Sequence, residues 1–109
     1  MKVTELGALE ELVLLTTASI GDKAYAVQIK EEVERQSQQS FNISSIHTTL
    51  FRLEEKRFLR SEMGGATAER GGRRKRYFSL TADGIAALAQ VRELRNRLWN
   101  LIPDKLANQ

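Results

Sequence analysis

Between Arg70 and Leu80 the chain reads Arg-Gly-Gly-Arg-Arg-Lys-Arg-Tyr-Phe-Ser-Leu, with five basic side chains and two glycines in seven residues running straight into an aromatic, strand-like segment. This order of residues constrains the fold more than any other. It demands a basic turn with a strand behind it. Such a turn can lay backbone and arginines along a phosphate chain, and it can equally be a solvated loop. The surrounding sequence has to distinguish the two.

The positive charge is local. From Arg52 to Arg76 there are nine Lys/Arg against four Glu, a balance of +5 set against +3 for the whole chain, which leaves −2 for the remainder. A polyanion partner therefore concerns one face rather than the whole surface. At 109 residues the chain is one small domain, and 41% hydrophobic residues with a single proline, Pro103, argue for an ordered one. The absence of cysteine excludes disulfides, thiolate metal sites and a cysteine nucleophile. His47 is the one histidine, so no histidine metal site is expected. Gly71 and Gly72 precede a strand rather than a helix, unlike a nucleotide-phosphate cradle, and the acids are scattered over helical faces. No enzyme activity, cofactor or metal is expected. The longest apolar run, Leu12 to Leu15, is too short to span a membrane, and the N-terminus lacks a long apolar core, so a cytoplasmic location without a membrane partner is expected.

Taken in order, Thr4 is placed to cap a first helix carrying Leu6, Leu9, Val13 and Ile20, widened by Leu12, Leu14 and Leu15. An apolar surface over most of its girth predicts a core helix that also touches a partner subunit. Ser19 to Lys23 reads as a turn with Gly21 as the helix stop. A second helix is expected from Ala24 to Gln36, with Tyr25, Val27, Ile29 and Val33 on its apolar side and Glu31 paired with Arg35. After the polar loop Gln36 to Ser40, Phe41 and Ile43 read as a short extended plug for the core.

Asn42 or Ser44 caps a third helix, Ser45 to Lys56, whose Ile46, Leu50 and Leu53 form a single inward stripe. Its opposite face carries Ser45, Thr48 and Arg52, flanked by His47 and Phe51, with Glu54 and Glu55 at the far end. Short hydroxyl side chains and a long cation are what a helix entering a major groove requires. Phe58 to Met63 reads as a strand, Gly64 to Gly72 as a connection, and Arg76 to Leu80 as the return strand, with Tyr77 and Phe78 on opposite faces. Thr81 caps a last helix that stops before Pro103. Val91, Leu94, Leu98 and Leu101 form a coiled-coil-like seam on it, widened by Ile85, Leu88, Trp99 and Ile102. That is more apolar surface than so small a domain covers, so a dimer is expected. The fold class is mainly α with a small β-hairpin: a winged helix-turn-helix over residues 1–80, a dimerisation helix over 81–102 and a tail over 103–109.

Over nearly its whole length the chain resembles the PadR family of transcriptional regulators. Ile46-His47-Thr48-Thr49-Leu50-Phe51-Arg52-Leu53-Glu54 stands where that family has its recognition-helix pattern. Glu69 to Gly84 resembles its wing followed by a leucine-threonine-x-x-glycine helix start, and Tyr25 falls where the family places a tyrosine. The sequence departs from the pattern at His47-Thr48, usually tyrosine-proline, at Phe51, where a polar residue is common, and at Arg57, where glycine is expected. The base-reading residues of relatives therefore do not transfer. The resemblance implies a homodimeric repressor on a pseudo-palindromic operator, in a short form without a separate effector domain. Several short relatives bind flat aromatic compounds at the dimer interface beside a tryptophan, which makes a small aromatic effector at Trp99 an expectation.

The candidate DNA-contacting residues are Ser44, Ser45, His47, Thr48 and Arg52 on the recognition helix and Arg70, Arg73, Arg74, Lys75 and Arg76 on the wing. Alternation puts Arg74 and Arg76 on one face. Arg52 suits bidentate contact with guanine or, equally, a phosphate or Glu55. His47 suits groove contact or partial burial. Phe51 suits a thymine methyl group or packing on another subunit. The dimer candidates are Leu6, Val91, Leu94, Leu98, Trp99 and Leu101, with Trp99 read as a packed interface residue or as an effector platform. The competing reading is a winged-helix protein-interaction module without specific DNA binding. Neutralising Arg73, Arg74 and Arg76 together separates the two, because only DNA affinity would collapse.

Overall fold

The structure, a computed structural model, describes residues 6–64 and 74–108. Three helices, α1 (Ala8–Ile20), α2 (Ala26–Ser37) and α3 (Ile43–Glu55), precede the hairpin of β1 (Leu59–Met63) and β2 (Arg76–Leu80). The long α4 (Ala82–Asn100) and the short α5 (Asp104–Ala107) follow. The antiparallel register runs from Leu59 opposite Leu80 to Met63 opposite Arg76. This is the expected winged helix, mainly α with one hairpin and a C-terminal helix.

Local chemistry sets the element boundaries. Gly7, not Thr4, occupies the N-cap of α1, and its N–H donates to the Glu10 carboxylate at 2.7 Å. Thr4 lies outside the described residues. α1 keeps Ser19 and Ile20 helical and stops at Gly21, whose φ of 107° favours glycine. α2 begins two residues later than expected because Ala24 and Tyr25 are extended. The Phe78 N–H donates to the Ala24 carbonyl at 2.7 Å, adding a one-residue bridge to the edge of the hairpin. Along α2 the ion pairs are Lys30 with Glu34 at 3.1 Å and Arg35 with Glu32, in place of the expected Glu31–Arg35 pair.

Glu34 also accepts the Phe41 N–H at 2.9 Å, which pins the turn between α2 and α3. These hydrogen bonds from Phe41 and then Lys30 hold its carboxyl below the ordinary value. Phe41 packs against the core as expected, whereas Ile43 is not a plug. The Asn42 side chain accepts the Ser45 N–H at 2.9 Å and starts the helix at Ile43, which stays 37% exposed.

α3 ends in a double hydrogen bond, Phe58 N–H to the Leu53 carbonyl and Arg57 N–H to the Glu54 carbonyl, both at 2.9 Å. This is a Schellman cap with Arg57 in the left-handed position at φ 67°. The departure from glycine noted in the sequence thus falls where glycine is favoured. Thr81 then fastens α4 to this corner. Its hydroxyl donates to the Arg57 carbonyl at 2.6 Å and accepts the Gly84 N–H at 3.0 Å. A Cβ on Gly84 would lie 2.2 Å from the Phe58 carbonyl oxygen, so only glycine lets α4 approach so closely. The threonine and glycine of the leucine-threonine-x-x-glycine segment are explained by this one junction.

The core joins Val13 and Leu14 of α1, Ile29 and Val33 of α2, Ile46, Leu50 and Leu53 of α3, and Leu59 and Phe78 of the hairpin. Each of its large side chains contributes about 1.5–3 kcal/mol by burial. Of α4, only Gly84 and Ala87 are buried, and Leu88 packs against the core from its edge. Arg95 ties α4 to α1 through both carboxylate oxygens of Glu11, at 3.0 and 2.6 Å, and that bond raises the guanidinium above its ordinary pKa. The tail expected after Pro103 contains α5, opened by Asp104 in its first turn.

Candidate nucleic-acid interface

The outer face of α3 is defined by what the core takes. Successive residues turn by about 100°, so the buried Ile46, Thr49, Leu50 and Leu53 fix the inward direction. Ser44, Thr48 and Phe51 fall within roughly 30° of the opposite direction, His47 and Arg52 stand about 70° to either side, and Ser45 lies about 90° away. Ser44, His47, Thr48, Phe51 and Arg52 are exposed, and Ser45 is half-buried. This corrects the sequence expectation, which set Ser45 and Arg52 at the centre and Phe51 on the flank. The reason is Thr49, which is buried with its hydroxyl donating to the Ser45 carbonyl at 2.8 Å. It turns the inward face toward Ser45 and brings Phe51 outward.

Ser44 donates from its hydroxyl to the Asn42 side chain at 2.9 Å. The His47 and Phe51 rings stack with centroids 6.4 Å apart and planes 23° apart. Among the described residues the Arg52 guanidinium makes no hydrogen bond, to Glu55 or otherwise; its charge acts instead on Glu10 of α1. Burial works to raise the Glu10 carboxyl, but the Gly7 N–H, the Lys56 ammonium at 2.9 Å from both oxygens and the Arg52 charge together hold it below the ordinary value.

On the hairpin, Arg74, Lys75 and Arg76 are exposed, while Arg70 and Arg73 lie outside the described residues. Lys75 rests its ammonium 4.1 Å from the centre of the Tyr25 ring, which meets Tyr77 edge-on at 6.3 Å. Arg76 donates to the Ser61 hydroxyl at 2.9 Å, and Ser61 donates to Glu54 at 2.6 Å. Of these three cations, Lys75 thus leans on the body through Tyr25, and Arg76 is held by the neighbouring strand, which Glu54 of α3 secures in turn. Glu54, read from sequence as an acid at the far end of α3 and as the last residue of the recognition-helix pattern, anchors the hairpin to the recognition helix. Tyr25, Ser61 and Glu54 carry no basic or metal-binding signature, so charge counting passed over their part in the site.

These elements converge. A depression of about 220 Å³ is lined by Tyr25, Ala26 and Val27 from the start of α2, His47 and Phe51 from α3, and Lys75, Arg76 and Phe78 from the hairpin. The His47–Phe51 side of the α3 outer face and the basic strand thus share one surface.

The dimer candidates divide. Leu6 packs against the core and Val91 and Leu94 are half-buried, whereas Leu98, Trp99 and Leu101 are 57%, 61% and 76% exposed. Leu12 and Leu15 of α1, expected to widen the partner surface, are exposed as well. Trp99 lines an open, mostly apolar depression of about 590 Å³ with Arg95, Asn96, Leu98 and Ile102. Among the described residues no cluster of side chains could hold a metal ion, and no helix is long and apolar enough to cross a membrane.

The sequence matches the transcriptional regulator PadR-like family over residues 14–90. No curated protein matches it. Among solved structures it is similar to a PadR-like transcription factor from Bacteroides fragilis, at a TM-score of 0.74 and 21% identity over 86% of this chain and 85% of that one. A PadR-like transcriptional regulator from Bacillus cereus aligns at 0.72 and 16% identity over 92% of both chains. A PadR family transcription regulator from Clostridium difficile aligns at 0.65 and 23% identity over 94% of this chain and 97% of that one. At such identities these structures establish the shared fold.

Proposed function

The chain belongs to the PadR-like family of transcriptional regulators, and from that premise we propose that it is a homodimeric, sequence-specific DNA-binding repressor. The observation that carries this reading is the common surface of α3 and the hairpin, where His47 and Phe51 line one depression with Lys75 and Arg76, and the exposed Ser44, Thr48 and Arg52 continue the outer side of α3. The α3 side chains enter the major groove and read base edges. The hairpin cations follow the phosphates, supplying affinity and register without reading sequence.

The exposed apolar end of α4, with Leu98, Trp99 and Leu101, supports pairing with a second copy. Two recognition helices on one dimer address half-sites about one helical turn, ~34 Å, apart. The operator is then pseudo-palindromic, and bound dimer blocks transcription from it. The site of action is the cytoplasm.

Selection from a randomised duplex pool, followed by fluorescence anisotropy on the recovered sequence, tests the reading. The expected outcome is an enriched inverted repeat bound at least ~10³-fold more tightly than random duplex. With about six to eight phosphates neutralised per dimer, log K should fall against log salt with a slope of about −5 to −7. Neutralising Arg74, Lys75 and Arg76 together lowers affinity for every sequence and flattens that slope. A pool that yields no preferred sequence at moderate salt sinks the proposal.

A further inference from the structure

Phe51 is the one large apolar side chain at the centre of the outward face of α3, and half of its surface is open to solvent. It is not a loose ring. His47, one turn earlier, stacks against it and limits where it can lie. The depression it lines is also lined by Val27, itself half exposed, and by Lys75 and Arg76. The hydroxyls of Ser44 and Thr48 share its face.

An apolar ring framed by cations and hydroxyls is a poor seat for an apolar protein partner, whose approach would strip water from Lys75 and Arg76 without replacing it. A major groove supplies both complements at once. Its phosphates meet the cations, and thymine, alone among the four bases, offers a methyl group at the groove floor for the ring. Resting on the DNA-binding reading above, we propose that Phe51 is a specificity-determining residue that packs on the C5-methyl group of a thymine in each half-site. The ring selects thymine by contact with that methyl group, and His47 keeps the ring in place.

Replacing thymine by uracil removes the methyl group and leaves every hydrogen-bonding atom unchanged, so it isolates the contact. The probe is the duplex recovered by selection, with each thymine of one half-site changed to uracil in turn. At one or two positions the wild-type protein should lose about fourfold in affinity, the worth of one buried methyl group, and about fifteenfold when both half-sites are changed. Phe51→Ala should bind thymine and uracil probes alike at those positions, while Phe51→Leu, which keeps an apolar contact, should retain part of the preference. Circular dichroism of both variants checks that this exposed position leaves the fold intact. Uracil tolerated everywhere, or the same loss in Phe51→Ala as in the wild type, overturns the assignment while leaving DNA binding standing. A selection that returns no preferred sequence overturns both.

Discussion

The two ends of α4 both carry apolar residues and meet different surroundings. At its start Gly84 touches the backbone of Phe58, Ala87 is buried and Leu88 packs on the core. At its end Leu98, Trp99 and Leu101 are mostly exposed. The helix is about 28 Å long and outreaches the body that covers its first turns. The contrast with α3 is as informative. The unmatched surface of α3 is hydroxylic and cationic around a single ring, and that of α4 is apolar. Each surface calls for its complement, a polyanion in one case and more apolar surface in the other. Under the proposed function the two tasks are separated along the molecule, one on α3 and the hairpin and the other on the end of α4.

The largest effect tests that separation at the far end. Leu98→Glu combined with Leu101→Glu places two carboxylates in the proposed seam. Removing two buried leucines forfeits about 1.5–3 kcal/mol each on every copy, so the dimer dissociation constant should rise by at least ~10³. Light scattering should show the mass fall from dimer to monomer while circular dichroism keeps the helical signal of the winged-helix body. An unchanged mass, or a wild-type protein that is already a monomer, would break the comparison.

Next in size is the junction. Gly84→Ala sets a Cβ against the Phe58 carbonyl at 2.2 Å, and backbone rather than a flexible side chain has to yield. The expected destabilisation is about 3 kcal/mol, a fall in Tm on the order of 12 °C or more for a domain of this size. Thermal unfolding at fixed protein concentration measures it. A wild-type Tm would mean that α4 is not seated where the Thr81 and Gly84 contacts put it.

Much of this was legible in sequence, for reasons that differ by element. Thr81 announced its helix because an N-cap is made by the capping side chain itself, and for the same reason the cap of α3 was narrowed to Asn42 or Ser44, of which the structure uses Asn42. Arg76–Leu80 matched the expected strand because its alternation is local. Ala24 and Tyr25 were misread as helix because their extended form depends on Phe78, more than fifty residues away in sequence. The same holds for the site. The outer residues of α3 were identified, but Phe51 was set on the flank because the buried Thr49 looks polar in sequence and only packing turns it inward. The wing cluster was conspicuous, yet nothing local revealed that Lys75 leans on Tyr25 and Arg76 on Ser61.

The smallest effect sharpens the comparison where α3 passes into the hairpin. Arg57 holds the left-handed position of the Schellman cap, where a Cβ costs about 1–2 kcal/mol. Glycine there removes that strain but enlarges the unfolded ensemble by about 0.5–1 kcal/mol. The net expectation for Arg57→Gly is a gain of about 0.5–1 kcal/mol, or roughly 3–6 °C in Tm. The Arg57 carbonyl, which accepts the Thr81 hydroxyl, is untouched by the change. Urea denaturation measures the gain, and its absence would show that no strain is held at this corner. The salt dependence of DNA binding then says why arginine is there. An unchanged slope makes Arg57 a structural compromise only, whereas a slope flattened by about two per dimer makes it a phosphate contact retained at the expense of stability.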